Sequence, residues 1–305
     1  ALAVLSLALG IGSNTAIFSL VNAILIRELP YEAPEELVNV YRETQWTRYG
    51  ALSYPDFVEL QESTSDVFDD LGGSWFTYAQ RDLGSGVETL TGAMVTGNFF
   101  PLLGVGASLG RTLLPEDHLS PGGHPVVVLG FRYWERGFGG DPDVLGRSIE
   151  LNGRAYTVVG VADEAFQGPM PGIAADFFAP VMMVDALQPL MTNSLQSRGA
   201  NAFRPIGRIK TGVTLPQVNA TLEWTAGQLK ESYPGIWQPT DRLYGIPRDE
   251  ILFNPQVDRA VVAANLLAMG LVMLVLLIAC SNLASFLLAR TVEGRKDVAI
   301  RLPLG

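Results

Sequence analysis

Two long apolar stretches without a single charge constrain this chain more than any other feature. The first runs from Ala1 to Ile26 and the second from Ala260 to Ala289. Each exceeds the roughly 20 residues that a helix needs to cross about 30 Å of hydrocarbon. Because a Lys, Arg or Asp at mid-bilayer costs on the order of 2.5–3.5 kcal/mol, such runs predict two membrane-spanning helices. The long block between them is then a domain outside the membrane.

The distribution of charge orients the two predicted spans. The chain carries 21 basic and 31 acidic side chains, of which four basic and two acidic lie in residues 290–305. The block 27–259 therefore keeps 17 basic and 29 acidic side chains, a net charge of −12. Basic residues beside a span stay in the cytoplasm, whereas long domains translocate with little regard to their charge. We therefore expect both ends of the chain in the cytoplasm and the acidic block outside.

Two alternatives compete for the first apolar stretch. A signal peptide would need a basic N-terminal region and a shorter apolar segment, and a buried core helix rarely runs for so many residues without charge. The chain starts at Ala1 without Met and stops at Gly305 within an amphipathic pattern. We therefore expect a fragment of a longer membrane protein.

Residues suited to catalysis or metal binding are scarce. The two histidines, His118 and His124, lie in a loop rich in Gly and Pro, where we interpret them as solvated side chains rather than metal ligands. The acidic pairs Asp69-Asp70 and Glu116-Asp117 are typical of solvated loops, and the single cysteine, Cys280, lies in the second span. No phosphate-binding loop occurs. The sequence thus predicts no catalytic residue, no metal site, no cofactor and no enzyme activity.

The composition also excludes a nucleic-acid partner and an internal disulfide, as the charge and the cysteine count show. A block with a net charge of −12 lacks the clustered Lys and Arg that phosphate contacts require, so we expect no nucleic-acid partner. A single cysteine excludes a disulfide within the chain. At more than two hundred residues, the outer block is large enough to be held by its hydrophobic core alone.

The outer block alternates between strand and helix signals. Asn152-Gly153, between two β-branched runs, predicts a tight hairpin. Ser53 with Asp56 and Thr214 with Gln217 predict helices that begin with a capping box. Further strands are predicted at 37–41, 88–95, 125–129, 177–179 and 205–210, and short helices at 96–104 and 131–140. A strand-helix unit near each end, with a β-rich piece between, indicates an α/β domain that carries an insertion.

The tail after the second span is the strongest functional candidate. Residues 290–302 can continue as a helix with Val298 and Leu302 on one face. Lys296, Asp297 and Arg301 lie on its other faces. The alternative is a basic anchor that touches only lipid headgroups.

Several segments together carry a family resemblance that covers essentially the whole chain. These segments are 7–18, 95–100, 103–105, 109–111, 138–153, 156–161, 207–210 and 295–302. On these segments, the chain resembles the permease subunits of MacB-like, FtsX-related ABC transporters, especially the orphan permeases of soil bacteria. Pro303 departs from the pattern, because the family usually has a helix former there.

The resemblance implies an α+β extracytoplasmic domain between two transmembrane helices, with a porter-like α/β part split in sequence and an inserted β-rich part. The implied organisation is a first span at 1–27, a porter-like part at 28–115 and 200–255, an insertion at 116–199, a second span at 258–290 and the start of a cytoplasmic coupling segment at 291–305.

The resemblance also implies a function and its partners. Such a permease would sit in the bacterial inner membrane and couple ATP hydrolysis by a separate cytoplasmic ATPase to periplasmic movement, for efflux or for extraction of a substrate. A second permease copy, a periplasmic adaptor and membrane lipid are the other implied partners. Small and polar residues in the second span allow close helix packing, between subunits or within one. The segment implied to contact the ATPase comprises Lys296, Asp297, Val298, Ala299, Ile300, Arg301 and Leu302.

Two other hypotheses remain open at this point. A membrane-anchored sensor or scaffold would bind a partner through the outer domain and pass a signal inward. A tethered extracytoplasmic enzyme would need converging His, Asp, Glu or Ser side chains, which the scarcity of histidine disfavours.

Overall fold

The structure is a computed structural model that describes residues 30–170, 172–191 and 193–251, with Gly12 and scattered helical positions between 255 and 285. The chain divides into two compact units, one formed by Ala1–Glu28 with Val257–Gly305 and the other by Leu29–Gln256. Of the predicted spans, 1–27 is described only at Gly12 and 258–290 only at scattered helical positions, and the tail 291–305 lies entirely outside the described residues. Among the residues that are described, no helix has the length and apolarity needed to cross a bilayer.

In its described residues the unit Leu29–Gln256, here called the outer domain, contains ten strands and five named α-helices. The strands are β1 Leu37–Glu43, β2 Phe68–Asp82, β3 Val87–Val95, β4 Ala107–Gly110, β5 Val126–Leu129, β6 Ser148–Leu151, β7 Arg154–Ala162, β8 Phe177–Pro180, β9 Phe203–Ile209 and β10 Arg242–Pro247. The α-helices are α1 Tyr54–Ser63, α2 Phe99–Leu103, α3 Phe131–Phe138, α4 Val184–Leu187 and α5 Leu215–Ser232. Short 3-10 turns lie at Pro34–Glu36, Pro115–His118, Pro142–Val144, Val181–Met183 and Arg248–Glu250.

All ten strands belong to one mixed sheet, in the order β10-β1-β9-β2-β3-β8-β5-β7-β4, with β6 also paired to β7. The pairs β3–β8 and β5–β7 are parallel and the other pairs are antiparallel. β4 and β7 pair across the predicted boundary at residue 115, since Ala107 lies opposite Ala162. The division into a porter-like part and an insertion stays a prediction, whereas the mixed α/β class of the domain is confirmed.

Two hydrophobic clusters lie on opposite faces of this sheet. Neighbouring residues of one strand fall in different clusters, as Met94 and Val95 of β3 show. This follows from the period of two, which points successive side chains to opposite faces. Phe57 of α1 and Leu222 of α5 belong to the first cluster, and Phe100 of α2 belongs to the second. At least one helix therefore packs on each face of the sheet.

The two predicted helix starts use opposite halves of the capping box. Ser53 Oγ accepts a hydrogen bond from the backbone N–H of Asp56 at 3.2 Å, which confirms Ser53 as the N-cap of α1. The Asp56 carboxylate does not return to Ser53; it binds Arg198 instead, so this half of the prediction is wrong. At α5, Gln217 Oε1 accepts from the backbone N–H of Thr214 at 2.8 Å. Each cap satisfies one orphan helix donor.

The predicted hairpin at Asn152-Gly153 is present, and its turn reaches another strand. Asn152 and Gly153 have φ angles of 50° and 76°, as a tight turn between β6 and β7 requires. The Asn152 side chain accepts from the backbone N–H of Gln80 at 2.8 Å and donates to the carbonyl of Leu187 at 2.8 Å. The turn therefore joins β2 to the end of α4.

Both acidic pairs are more ordered than their sequence suggests. Asp70 lies in β2, where its Oδ1 accepts from the Asn98 side chain at 2.7 Å. Asp117 is 4% exposed and pairs with Arg111 at 2.6 Å, so the solvated-loop interpretation is wrong for Asp70 and Asp117, whereas Asp69 and Glu116 are exposed. Burial raises the pKa of Asp117, but hydrogen bonds from Arg111 and the Leu114 backbone outweigh burial and leave this pKa below its usual value.

His118 is also packed rather than solvated. Its Nε2 lies 2.9 Å from the Tyr54 hydroxyl, and its buried Nδ1 has no hydrogen-bond partner among the described residues. Burial lowers the pKa of His118 to about 4 and raises the pKa of Tyr54 to about 12. The folded protein therefore keeps this imidazole neutral at pH values where the unfolded chain protonates it.

His118 should make the outer domain less stable as the pH falls from about 6.5 to about 4. In that window the unfolded state binds a proton that the folded state does not, so the free energy of unfolding drops. One pKa unit is worth about 1.4 kcal/mol, and discounting for partial exposure leaves an expected loss of about 2 kcal/mol. Thermal unfolding of the full chain at pH 4.5 and 7.5 should show a smaller difference in His118→Gln than in the wild type. His124→Gln, which changes the other loop histidine, should keep the wild-type difference; equal behaviour of the two variants would contradict the prediction.

Candidate functional site

The two ends of the outer domain leave it side by side. β1 begins the sheet at Leu37, β10 ends it at Pro247, and Val38 lies directly opposite Pro247 in their antiparallel register. Any force carried along the chain into this domain must pass through the segments that flank these strands. We call the residues 31–36 and 248–250, together with Arg208 of β9, the junction.

Arg208 is the centre of the junction. Its Nη2 donates to the carbonyl of Glu32 at 2.8 Å and to the carbonyl of Leu102 at 2.9 Å, and its Nη1 lies 3.0 Å from Glu36 Oε2. The planar guanidinium carries five N–H donors in a fixed arrangement, so one side chain can hold several oxygens at once. Arg208 therefore ties the first segment of the domain to the end of α2 and to β9, an interior strand of the sheet.

The end of α2 is shaped to receive this segment. The backbone N–H of Glu32 donates to the carbonyl of Leu103 at 3.0 Å. The next residue, Gly104, ends α2 with φ of 68°, and a Cβ there would lie 2.3 Å from the Cβ of Glu32. Only glycine fits both the left-handed backbone and the close approach.

Arg248 connects the other end of the domain to the same place. It is 2% exposed, and its guanidinium lies 5.4 Å from the centroid of the Tyr31 ring with Nη2 3.3 Å from the Tyr31 hydroxyl. A buried guanidinium over an aromatic face gains cation–π attraction. The segments before β1 and after β10 therefore contact each other directly.

An aromatic cluster links the junction to the second hydrophobic core. Tyr31 packs edge-on against Phe166 at 6.2 Å between ring centroids. Phe166 in turn contacts Phe100 of α2 at 5.7 Å and stacks on Phe178 of β8 at 5.4 Å. Such ring pairs add roughly 0.5–1.5 kcal/mol each beyond their buried area. A displacement of Tyr31 is thus resisted by the core rather than by a loop.

A second basic centre, away from the junction, fixes the loop before β9. Arg198 binds both Asp56 and Glu59 of α1, and its guanidinium lies 3.6 Å from the ring centroid of Tyr233. The Tyr233 hydroxyl donates to the same Glu59 at 2.7 Å, and this hydrogen bond raises the pKa of Tyr233. The loop is held to α1 and to the end of α5.

The predicted contact segment Lys296–Leu302 lies outside the described residues, so its placement stays a prediction. The junction residues were not singled out from the sequence, although Arg208 falls within a matching segment. A signal was present, because Arg204 and Arg208 lie four residues apart, and so on one face, in a strand whose other residues are apolar or glycine. Within the described part of the chain, no group of three or more His, Cys, Asp or Glu side chains is arranged to hold a metal ion.

Comparison with known proteins identifies the protein family of this chain. Residues 1–223 match the family described as the MacB-like periplasmic core domain. The match covers more than half of the chain, so this chain belongs to that family and contains a periplasmic core domain of ABC-type transporter permeases.

Two crystal structures share the fold. The periplasmic region of MacB from Actinobacillus actinomycetemcomitans has 15% sequence identity and a TM-score of 0.51, with 70% of this chain and 90% of that chain covered. A domain of a putative permease protein from Porphyromonas gingivalis also has 15% identity and a TM-score of 0.51, with coverage of 78% and 99%. Among curated proteins, none matches this chain.

Proposed function

We propose that this chain is part of a permease subunit that couples ATP hydrolysis in the cytoplasm to movement of the periplasmic domain. The observation that carries the proposal is the junction, where the two ends of the domain are paired at Val38 and Pro247 and joined through Arg208 and Arg248. A flexible linker would absorb a small displacement, whereas a junction bonded to the interior strand β9 transmits it to the sheet.

The membrane arrangement in this proposal rests on the sequence. Residues 1–27 and 258–290 span the bacterial inner membrane, the acidic block lies in the periplasm, and both ends of this chain lie in the cytoplasm. The basic residues of the tail next to the second span support this orientation. Membership of a periplasmic domain family supports the placement of the block between the spans.

The partners follow from the same proposal. A separate ABC ATPase binds the cytoplasmic segment Lys296–Leu302, with Val298, Ala299, Ile300 and Arg301 as the principal contacts. A second permease copy and a periplasmic adaptor complete the assembly, which expels a substrate or extracts it from the membrane. The chain itself then acts as a non-enzymatic transmitter without a cofactor.

A sensor or scaffold is the second candidate function, because a rigid junction would also pass a binding signal inward. The two candidates differ in one requirement. A transporter needs an ATPase at the cytoplasmic tail, and a sensor or scaffold does not.

The topology can be tested in the full-length protein with single cysteines. In a background in which Cys280 and every cysteine beyond this chain are replaced by Ser, Ser85→Cys at the exposed tip of the β2–β3 hairpin should react with a membrane-impermeant maleimide applied to spheroplasts. Gly305→Cys should react only after the cells are lysed, because the reagent cannot reach the cytoplasm. Labelling of both positions from the outside would contradict the proposed topology.

The coupling can be tested by co-purification of an ATPase with the full-length protein. Ile300→Asp places a charge in the proposed contact segment and should reduce the recovered ATPase at least tenfold. Leu83→Asp introduces the same charge at the outer hairpin tip, where the leucine is 50% exposed, and should leave recovery unchanged. If wild-type protein brings down no ATPase, the transport proposal fails and the sensor or scaffold becomes the better explanation.

A further inference from the structure

A cleft on the outer domain combines features that no proposed transport step uses. Two adjoining cavities of about 450 Å³ and 410 Å³ share the residues Thr47, Gly50, Ala51 and Asn201. Together they surround the loop at 44–50, whose tip residue Trp46 is 87% exposed. We call this pair of cavities the Trp46 cleft. Its volume is in the range of protein sites that bind small molecules or short peptide segments.

One half of the Trp46 cleft is aromatic and contains a cation. Tyr49, Trp75, Phe76 and Met170 line it beside Arg204. Arg204 is partly buried, and no described residue gives its guanidinium a hydrogen bond or an ion pair. A partly buried guanidinium without an anionic partner is a favourable site for a carboxylate, which it can bind through two parallel hydrogen bonds.

The comparison with Arg208 shows that Arg204 is distinctive. The two arginines lie four residues apart on β9 and on the same face of the sheet, since side chains alternate along a strand. Arg208 is satisfied by carbonyl oxygens of Glu32 and Leu102 and by the Glu36 carboxylate. Nothing equivalent surrounds Arg204 among the described residues, so its charge remains available to a ligand.

The other half of the Trp46 cleft offers hydrogen-bonding side chains. Gln45, Asn201 and Gln238 line it with Thr44 and Thr47. Amide side chains both donate and accept, as a peptide backbone does, so an extended backbone finds matching partners there. The charges at the floor already neutralise each other, because Arg42 is paired with Asp241 at 2.6 Å.

The walls of the cleft are fixed rather than loose. The loop that carries Asn201 is tied to α1 through Arg198, and the hairpin loop is closed by paired backbone bonds between Arg42 and Gly50 at 2.9 and 3.0 Å. The Tyr244 hydroxyl also donates to the carbonyl of Arg48 at 2.5 Å. A site preformed in this way loses little conformational entropy when a ligand binds.

We propose that the Trp46 cleft binds an extended segment of a partner protein that carries one acidic residue flanked by apolar ones. The carboxylate binds Arg204, the apolar side chains pack on Phe76 and Met170, and the backbone bonds to the amide side chains. An anionic lipid tail would use the first two contacts but leave the amide wall without partners. The net charge of −12 over residues 27–259 disfavours highly acidic segments at low ionic strength, so the site selects for a single acid.

Fluorine NMR of the full chain in detergent micelles, labelled with 5-fluorotryptophan, tests this inference. Trp46 and Trp75 line the cleft, and Trp134 and Trp224 do not. The blocked pentapeptide acetyl-Ala-Leu-Glu-Leu-Ala-amide should shift the signals of Trp46 and Trp75 in a saturable manner, with Trp134 and Trp224 unchanged. Replacing its Glu by Gln should weaken binding about tenfold or more, the usual loss for a charge-assisted hydrogen bond. A version of the peptide with Ala in place of Glu and a free C-terminus tests whether the site prefers a terminal carboxylate to a side-chain carboxylate.

Matched variants test whether Arg204 is the positive charge that binds the peptide carboxylate. Arg204→Gln should abolish the preference for Glu over Gln, whereas Arg132→Gln, an exposed arginine on α3, should preserve it. If Arg204→Gln does not fold, its tryptophan signals lose their dispersion. The affinities of the Glu and Gln peptides for the wild-type protein then still test the proposal. Each of four results would overturn the proposal. The first two are the absence of a saturable shift with the Glu peptide and equal binding of the Glu and Gln peptides. The other two are tighter binding of a Lys peptide and shifts with dodecanoate but not with the Glu peptide. Because none of these readouts involves an ATPase, their failure leaves the transport proposal untouched.

Discussion

Replacing Arg42 with Met should destabilise the outer domain by about 3–5 kcal/mol, because it leaves the Asp241 carboxylate buried without its counter-ion. Arg42 and Asp241 are 5% and 1% exposed, and their charged groups are 2.6 Å apart. Arg42 also donates to the carbonyl of Ile236 at 2.7 Å and lies 3.9 Å from the Trp237 ring centroid. The free energy of unfolding of the full chain in micelles, followed by tryptophan fluorescence during urea denaturation, measures this loss.

An exposed ion pair of the same length provides the control. Arg147 and Asp141 are also 2.6 Å apart, but their side chains are 49% and 38% exposed. Arg147→Met should therefore cost less than about 1 kcal/mol, the usual value of a solvated ion pair. The double variant Arg42→Met with Asp241→Leu removes both buried charges and should recover much of the loss. If Arg42→Met and Arg147→Met lower the free energy of unfolding equally, burial does not determine how much an ion pair contributes to stability.

Replacing Arg208 with Gln should loosen the junction without unfolding the sheet. The substitution removes a charge that holds the carbonyls of Glu32 and Leu102, and hydrogen bonds to charged groups are worth about 1.5–3 kcal/mol each. The amide of Glu32, which donates to Leu103 at 3.0 Å, should then exchange with deuterium about 30–100 times faster, corresponding to a loss of about 2–3 kcal/mol in local stability. Hydrogen-exchange mass spectrometry of the peptide that covers residues 30–36 measures this rate.

The matched control again lies on the same strand. Arg204→Gln changes the same charge on the same face of β9 but removes no bond to residues 30–36, so exchange there should stay at the wild-type rate. In a transport assay of the full-length protein, Arg208→Gln should lower transport while ATPase binding persists, since the contact segment is unchanged. Wild-type exchange in Arg208→Gln would mean that other contacts hold the junction, and Arg208 would lose its proposed role.

The strands and helices that could be predicted are those whose signals are local. β1, β3, β5, β8 and β9 and the β6–β7 hairpin were predicted from β-branched runs and from Asn152-Gly153, because alternation and turn chemistry act within a few residues. α1 and α5 were predicted from their N-caps for the same reason. The family was also predictable, because the order of many weak motifs is itself a sequence property.

The elements that escaped prediction depend on distant neighbours. β2 contains Gly72-Gly73 and Asp69-Asp70, which read locally as a loop, yet it is the longest strand of the sheet. A Cβ at Gly73 would lie 2.5 Å from the Phe203 ring, so the glycine belongs there because another strand packs against it. β4 and β10 are short and become strands only by pairing with β7 and β1.

By itself, the sequence determined the apolar ends, the acidic outer block, the caps and turns, and the family to which the chain belongs. These properties depend on composition and on spacings of a few residues, which are fixed before the chain folds. Only the tertiary structure decided that Arg208 and Arg248 both contact the segment before β1, that Asp117 and His118 are packed rather than solvated, and that Arg204 has no anionic partner among the described residues. The physical reason is that these contacts mostly join residues distant in sequence, such as Glu32 with Arg208 and Tyr54 with His118, which come together only when the sheet has formed.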